Sequence, residues 1–349
     1  MRIPRFIACP ECHSADLSPA PVADPLPAPF DSKTGILCSE CSRCFPVVDG
    51  IYVLWSDQLK KIHLSDVSEN SDIEQRVKKA NIQIYDDVSD DYGEHHDGSQ
   101  PYVLTQLFQK AIANDFRETN RENQDSIVVD VGCATGHGLD VGSTGFTSTV
   151  GVDISLENLR HVVAKGHTAV LADAERLPFV ADSVDLITCF ATLHHFPKPE
   201  HFIIDSSRVL RPGGVVLIAG EPTSAAMRMG PIAKAVWNAR KPVYRFLSRY
   251  SRRFYMHRDR DQQSLNDLAE CNRTSGGFAP EVIETYLEQG GFSSRKIFYG
   301  TDPSHFKRFA VPPWQQLVLK SLSLQNPLRV SNWMNLSAVA RKEKAQVSN

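Results

Sequence analysis

From Ser126 onward, short β-branched apolar runs alternate with stretches of helical periodicity. Ile127–Val131, Thr149–Val152, Ala169–Ala172, Val184–Phe190 and Val215–Ala219 are the runs. Each has the length and largely β-branched, apolar character of a buried strand, and the alternation predicts an α/β fold with a mostly parallel, doubly wound sheet. Upstream, residues 43–54 read as strand, Asp-Gly turn, strand. Residues 56–84 are polar and charged with scattered aliphatics, the pattern of a linker containing a helix.

The chain has 349 residues, 42% of them apolar, enough for one large α/β domain beside a smaller module. We divide it into a module over 1–55, a linker over 56–84 and a main domain over 85–345, with an insertion at 222–277. A net charge of -3 gives no global attraction to nucleic acid or membrane, so such a partner needs a local patch. The insertion supplies one. Arg228, Lys234, Arg240, Lys241, Arg245, Arg249, Arg252, Arg253, Arg258 and Arg260 stand there against Asp259, interleaved with Trp237, Tyr244, Phe246, Tyr250, Phe254 and Tyr255.

No apolar run approaches the roughly 18 residues that span a bilayer, and the N-terminal residues show no signal-peptide pattern, so a cytoplasmic location is expected, peripheral to the membrane if the patch rests on one. Reducing conditions there favour metal ligation over disulfides for the eight cysteines. Cys9 with Cys12 and Cys38 with Cys41 form two CxxC knuckles, the spacing that lets four thiolates surround one structural zinc. Cys44 is the competing ligand for the place of Cys41. A module of this size has too little core to fold unaided, and zinc supplies what is missing. Cys133, Cys189 and Cys271 read as buried thiols.

In the main domain the first run ends in Asp130 and a glycine-rich turn, Gly132-Cys133-Ala134-Thr135-Gly136-His137-Gly138. Such a turn lets backbone approach a ligand at the carboxyl edge of a sheet. The second run ends in Asp153, where a carboxylate can accept both hydroxyls of a ribose. The third ends in Asp173, Ala174 and Glu175, and the fourth leads into Thr192-Leu193-His194-His195.

DVGCATG, GVDIS, DAERLPF, SVDLITCFATLHHF and RVLRPGGVVLIAGEP resemble, in order and spacing, the motifs of class I S-adenosylmethionine-dependent methyltransferases of the quinone-biosynthesis-like group. The resemblance implies a seven-stranded Rossmann-like methyltransferase sheet and extends to Tyr85, Tyr92, a closing helix over Phe278–Phe292 and a strand near Leu336–Ala340. It implies that Asp130, Gly132 and Gly136 line the methionine end of S-adenosylmethionine, and that Asp153 and Ile154 hold ribose and one adenine face. Asp173 and the Ala174 amide then meet the adenine edge, and Tyr85 and Tyr92 join the cofactor site. After Gly138 the family's long helix gives way to LDVGSTGFTST, which predicts a short or irregular one. The N-terminal module resembles zinc-ribbon activators of RNA and protein methyltransferases.

Methyl transfer from a sulfonium needs alignment first and a base second. His195 and His194 are candidates to take the acceptor's proton, with loop shaping as the alternative; Glu221, after the fifth run, either orients substrate or caps a helix. No Asn-Pro-Pro-Tyr type sequence ends the fourth run, which favours an oxygen or carbon acceptor over an exocyclic amine. The expected acceptor is a small, anionic or lipid-linked metabolite, with the basic insertion as a lid or membrane contact. The alternatives are RNA, since a ribbon before a class I core also resembles bacterial rRNA guanine methyltransferases, and a catalytically silent scaffold. A last packed helix is expected around Leu317–Leu324, near Trp314 and Trp333.

Overall fold

The computed structural model describes residues 3–24, 26–96, 126–142, 145–250, 260–299, 318, 321–325 and 335–343. Among these residues eleven strands form one sheet: β1 (Leu17–Pro21), β2 (Thr34–Cys38), β3 (Cys44–Val48), β4 (Ile51–Val53), β5 (Ile127–Val131), β6 (Ser148–Asp153), β7 (Thr168–Leu171), β8 (Val184–Phe190), β9 (Leu210–Pro222), β10 (Phe292–Tyr299) and β11 (Asn335–Lys342). Their order is β1-β2-β3-β4-β7-β6-β5-β8-β9-β11-β10. Seven of them, β5 to β11, form a seven-stranded doubly wound sheet of the kind that the sequence resemblance implies. Within it β7, β6, β5, β8 and β9 run parallel, and β11 enters antiparallel between β9 and β10. The apolar character of β5 has its reason here, since all five of its residues, Asp130 the one polar exception, are buried between helical layers.

The remaining four strands belong to the N-terminal ribbon, and the sheet runs through them. Tyr52 and Val53 of β4 pair in parallel with Val170 and Leu171 of β7. The Asp49-Gly50 turn that joins β3 to β4 has both residues at positive φ, 51° and 84°, the conformation of a two-residue hairpin loop. A second seam joins the ribbon to the loop after β7, where Ala8 N–H donates to Pro178 and Val180 N–H to Phe6, each at 2.9 Å. Ile7, Phe30, Phe45, Ile51, Val53, Leu54 and Trp55 lie in the same buried cluster as β5, β6 and β7. Sequence patterning separates ribbon from main domain; the fold gives them one core.

The helices are α1 (Asp57–Leu64), α2 (Ile73–His96), α3 (His137–Gly142), α4 (Leu156–Ala164), α5 (Pro199–Val209), α6 (Ser224–Met227), α7 (Pro231–Leu247), α8 (Arg260–Ala269), α9 (Cys271–Thr274) and α10 (Pro280–Gln289). The stretch read as a linker is thus largely helical, and α2 continues unbroken past Tyr85 to His96. The helix after the glycine turn, α3, is six residues long, as its sequence predicts. The helix expected around Leu317–Leu324, with Trp314 and Trp333, falls largely outside the described residues.

Candidate functional site

β5 turns toward β6 on one side while β8 follows on the other, so the chain reverses its direction of winding between β5 and β8, the place where open α/β sheets bind ligands. A cleft of about 720 Å³, open mouth included, lies there. Gly132, Ala134, Asp153, Ile154, Asp173, Ala174, Glu175, Thr192 and His195 line it from the sheet's carboxyl edge, and Lys78, Asn81 and Tyr85 line it from α2.

Gly132 adopts φ +68°, and a Cβ there would stand 2.0 Å from the Thr192 side chain, so only glycine fits between the two loops. Ala134 and Ala191, both lining the cleft, are also left-handed, at 46° and 48°. Non-glycine residues hold that conformation when neighbours fix it. The Ala134 amide donates to Asp153 Oδ2 at 2.9 Å, and the Ala191 amide to Ala219 O at 2.7 Å.

Asp153 Oδ1 accepts from the Ser155 amide at 2.8 Å, so each carboxylate oxygen is fixed by one backbone donor and keeps a further lone pair. Burial pushes its carboxyl up to about 6 against those amides. Asp130 stands behind the cleft wall: Thr188 Oγ1 donates to its Oδ1 at 2.7 Å, and a Cβ at Gly138 would lie 2.5 Å from its Oδ2. Its burial raises the carboxyl to about 7. Gly136 likewise faces Val162 of α4 and is not among the lining residues. Tyr92's side chain lies outside the described residues.

The histidine pair divides. His195 Nδ1 lies 3.0 Å from the carbonyl of Ala269, which can only accept, so the ring proton sits on Nδ1. Nε2 then carries the lone pair and accepts from Tyr85 Oη at 3.2 Å. Burial, with His194 alongside, holds His195 well below the usual histidine range, so this ring is neutral. His194 is absent from the lining and bonds through Nδ1 to Glu221 at 2.9 Å. Glu221 is fully buried and also accepts the amides of Thr192, Leu193 and His194 at 2.9 to 3.0 Å. Four bonds make Glu221 the clamp of the 193–195 turn rather than a wall of the cleft.

Lys78, on α2, is not among the site residues expected from sequence. Its ammonium has three protons, and three carboxylates take them: Glu74 at 2.8 Å, Asp173 at 2.7 Å and Glu175 at 2.8 Å. Lys198 adds a bond to Glu74 at 2.7 Å, and its amide donates to Glu175. Burial works against the charged form of Lys78, yet Asp173 and Glu175 outweigh it and raise the group above the ordinary lysine range. Burial also opposes ionised Glu74, but Lys198 and Lys78 bring it down to about 2. The only sequence signal was the helical i, i+4 spacing of Glu74 and Lys78.

In the ribbon, the sulfurs of Cys9, Cys12, Cys38 and Cys41 all lie within 4.8 Å of one another. Cys9 to Cys41 is 3.6 Å and Cys12 to Cys38 is 3.5 Å. A tetrahedral zinc with 2.3 Å bonds needs sulfurs about 3.8 Å apart, so the set fits that ion. The two knuckles close alike: His13 and Ser42 are left-handed, at 58° and 60°, and each amide donates to the first cysteine's carbonyl at 2.9 Å. Burial pushes the Cys9 and Cys38 thiols up; at Cys41 the Arg43 amide and neighbouring thiols overcome burial and bring it to about 7. Cys44 stands outside the cluster, exposed, its Sγ 3.8 Å from Pro21 O.

Residues 129–218 match the model of a methyltransferase domain. An uncharacterized chloroplastic methyltransferase of Arabidopsis thaliana is 25% identical over 227 residues, 60% of this chain and 60% of that protein. A malonyl-[acyl-carrier protein] O-methyltransferase of Methylococcus capsulatus is 28% identical over 179 residues, covering 49% of this chain and 62% of that protein. This chain therefore spans less than two thirds of either relative's length. Among solved structures, the N-methyltransferase NodS of Bradyrhizobium japonicum superposes with a TM-score of 0.43 at 14% identity, covering 75% of this chain and 98% of that one.

Proposed function

We propose that this chain, built around a methyltransferase domain of the class I type, transfers a methyl group from S-adenosylmethionine to an oxygen or carbon of a small acceptor, and that its ribbon holds one structural zinc. The observation that carries the reading is a doubly anchored Asp153 carboxylate facing a neutral His195 across one cleft.

When bound, S-adenosylmethionine supplies a methyl group on a sulfonium that becomes a neutral thioether on transfer. Asp153 offers its free lone pairs to the ribose hydroxyls, Ile154 packs on adenine, and Asp173 with the Ala174 amide takes the adenine edge. Gly132 and Thr192, packed against each other in the cleft wall, would flank the methionine end. His195 Nε2 receives the acceptor's proton, directly or through Tyr85, while Ala269 holds the ring's other proton in place. A proton arriving there restores one positive charge to the low-dielectric cleft, so the net charge of the site does not change across the reaction. Tyr85 acts as the positioning residue of this pair. Glu221 and His194 act through the turn they clamp. The relative's O-methylation of malonyl-[acyl-carrier protein] supports the oxygen reading.

Calorimetric titration of the full-length protein with S-adenosylmethionine tests the cofactor site. Micromolar binding is expected at pH 7.5, and Asp153→Ala is expected to weaken it by roughly a hundredfold, the equivalent of two charge-assisted hydrogen bonds. Since burial places the Asp153 carboxyl at about 6, its proton must leave before both ribose hydroxyls can donate. Affinity should therefore hold above pH 7 and fall by up to about tenfold per unit below 6. No binding by folded protein would sink the reading.

For the chemical step, His195→Ala is expected to lower kcat by about 10² to 10³ with the apparent affinity for cofactor unchanged. As the ring is neutral well below 6.5, the wild-type rate should stay flat from pH 8 to 6.5. An alanine variant with wild-type kcat would reduce His195 to a loop-shaping residue.

A further inference from the structure

Between residues 222 and 258 the sequence carries nine lysines and arginines and no aspartate or glutamate, in a chain whose net charge is -3. α7 runs through this segment. Its cationic character is matched by a second property that solubility does not call for. Ile232, Val236, Val243 and Phe246 are spaced at intervals of 4, 7 and 3, which at about 100° per residue places them within one arc of roughly 80°. All four are exposed, as is Tyr250 just past the helix, at 48 to 76% of their full accessible area. The rings of Phe246 and Tyr250 lie 5.4 Å apart, tilted by 58°. Half of the exposed large apolar residues among those described belong to this one segment.

We propose that α7 is a docking surface for an anionic lipid bilayer. Ile232, Val236, Val243 and Phe246 enter the acyl boundary, Tyr250 sits at headgroup level, and the segment's cations, exposed Lys234 on the opposite, polar face and Arg249 past the helix end among them, draw the helix to the anionic surface by their field. The two halves of the observation select this occupant together. A single-stranded nucleic acid is bound by cations with aromatic stacking faces, and an aliphatic stripe adds nothing to that. A second copy presents the same uniformly cationic segment and is repelled. A bilayer with anionic headgroups satisfies both the stripe and the charge.

α7 starts nine residues beyond the carboxyl end of β9, the sheet edge at which the cleft opens. Docking therefore holds that sheet edge within about 30 Å of the membrane surface, the reach of nine residues, where a lipid-linked acceptor is presented. That extension rests on the proposed methyl transfer; the docking itself does not, and vesicle binding measures it independently of activity.

The test is sedimentation of the full-length protein with large vesicles of phosphatidylcholine alone, or with a minority of phosphatidylglycerol, at low and high salt, beside poly(U) RNA binding. Wild type is expected to bind the anionic vesicles, to be released by high salt, and to leave the neutral vesicles largely in the supernatant. Val243→Glu with Phe246→Glu, and separately Lys234→Glu with Arg249→Glu, should each lower partitioning by roughly tenfold or more with the unfolding midpoint unchanged, since all four side chains are surface positions. Failure of wild type to bind anionic vesicles at low salt overturns the proposal. So does wild-type partitioning by the apolar variant. Tight poly(U) binding, lost only in the charge-reversed variant, would assign the surface to RNA instead.

Discussion

Chelation of the ribbon metal, or Cys38→Ser, is expected to unfold residues 3–55 and to loosen the adenine side of the cleft with them. Structural zinc contributes an apparent 10 to 16 kcal/mol or so to the folding of comparable small modules, as much as the whole stability of a typical domain. The ribbon has little to set against that loss, because its apolar residues pack into the shared cluster only while the two knuckles hold their turns. The damage travels by a short route. Leu171 of β7 accepts from the Leu54 amide at 2.9 Å, Arg176 donates to the carbonyl of Glu11 inside the first knuckle at 2.8 Å, and Asp173 lies between those two attachments. Hydrogen exchange should rise in β1 to β4 and in β7, and cofactor affinity should fall. Metal analysis should find one zinc per chain, retained in Cys44→Ser, whose sulfur stands apart from the cluster. Metal-free protein with a protected ribbon would refute the assignment.

The second large effect is expected at Lys78. Lys78→Met leaves Asp173, Glu175 and Glu74 buried with Lys198 alone to face them, and removing one partner from a buried charge network costs about 3 to 5 kcal/mol. For a domain of this size that is a fall in Tm of roughly 6 to 20 °C. The pH dependence has a definite sign. Glu175 already sits above the ordinary carboxylate range because of its burial, even with Lys78 present. Without the ammonium, the largest offset to that burial at Glu175 is lost, and the folded state holds its carboxyl more tightly protonated than the unfolded chain does. The variant's deficit should therefore be smaller at pH 5 than at pH 8, widening as pH rises through the raised folded value. A deficit that is independent of pH would mean that lost packing, not unpaired charge, explains it. Because Lys78 and Asp173 both line the cleft, the same variant should bind cofactor more weakly; unchanged affinity would confine the network to structural support.

Much of this architecture can be read along the chain, and the reason is local. A strand covered on both faces is apolar wherever a polar side chain has no internal partner such as the Thr188–Asp130 bond, so β5 and β8 are visible as runs; each knuckle and the Asp49-Gly50 hairpin are complete within five residues or fewer. Asp153 and Asp173 are visible because they follow directly on such runs. What escaped the sequence is what pairs across distance. Lys78 and Asp173 are 95 positions apart, and the helix carrying Lys78 is too polar on average to advertise a buried face. Glu221 reads equally well as a ligand to substrate or as a cap until the 193–195 turn is seen folded over it. Tyr85 lines the cleft, and its hydroxyl bond to His195, 110 positions away, cannot be read from spacing. Sequence spacing likewise leaves Cys44 open as a rival ligand, and only the path of β3 turns it away.

The junction of β4 and β7 also bears on how the protein is made. Val53 pairs with Leu171, which leaves the ribosome 118 positions later. At about 5 to 20 residues per second, the nascent ribbon waits on the order of ten seconds with one strand edge uncovered. Unpaired edges recruit other chains during such an interval. Early capture of zinc by the knuckles would keep that edge short and rigid until its mate arrives, which makes metal supply during synthesis a determinant of yield.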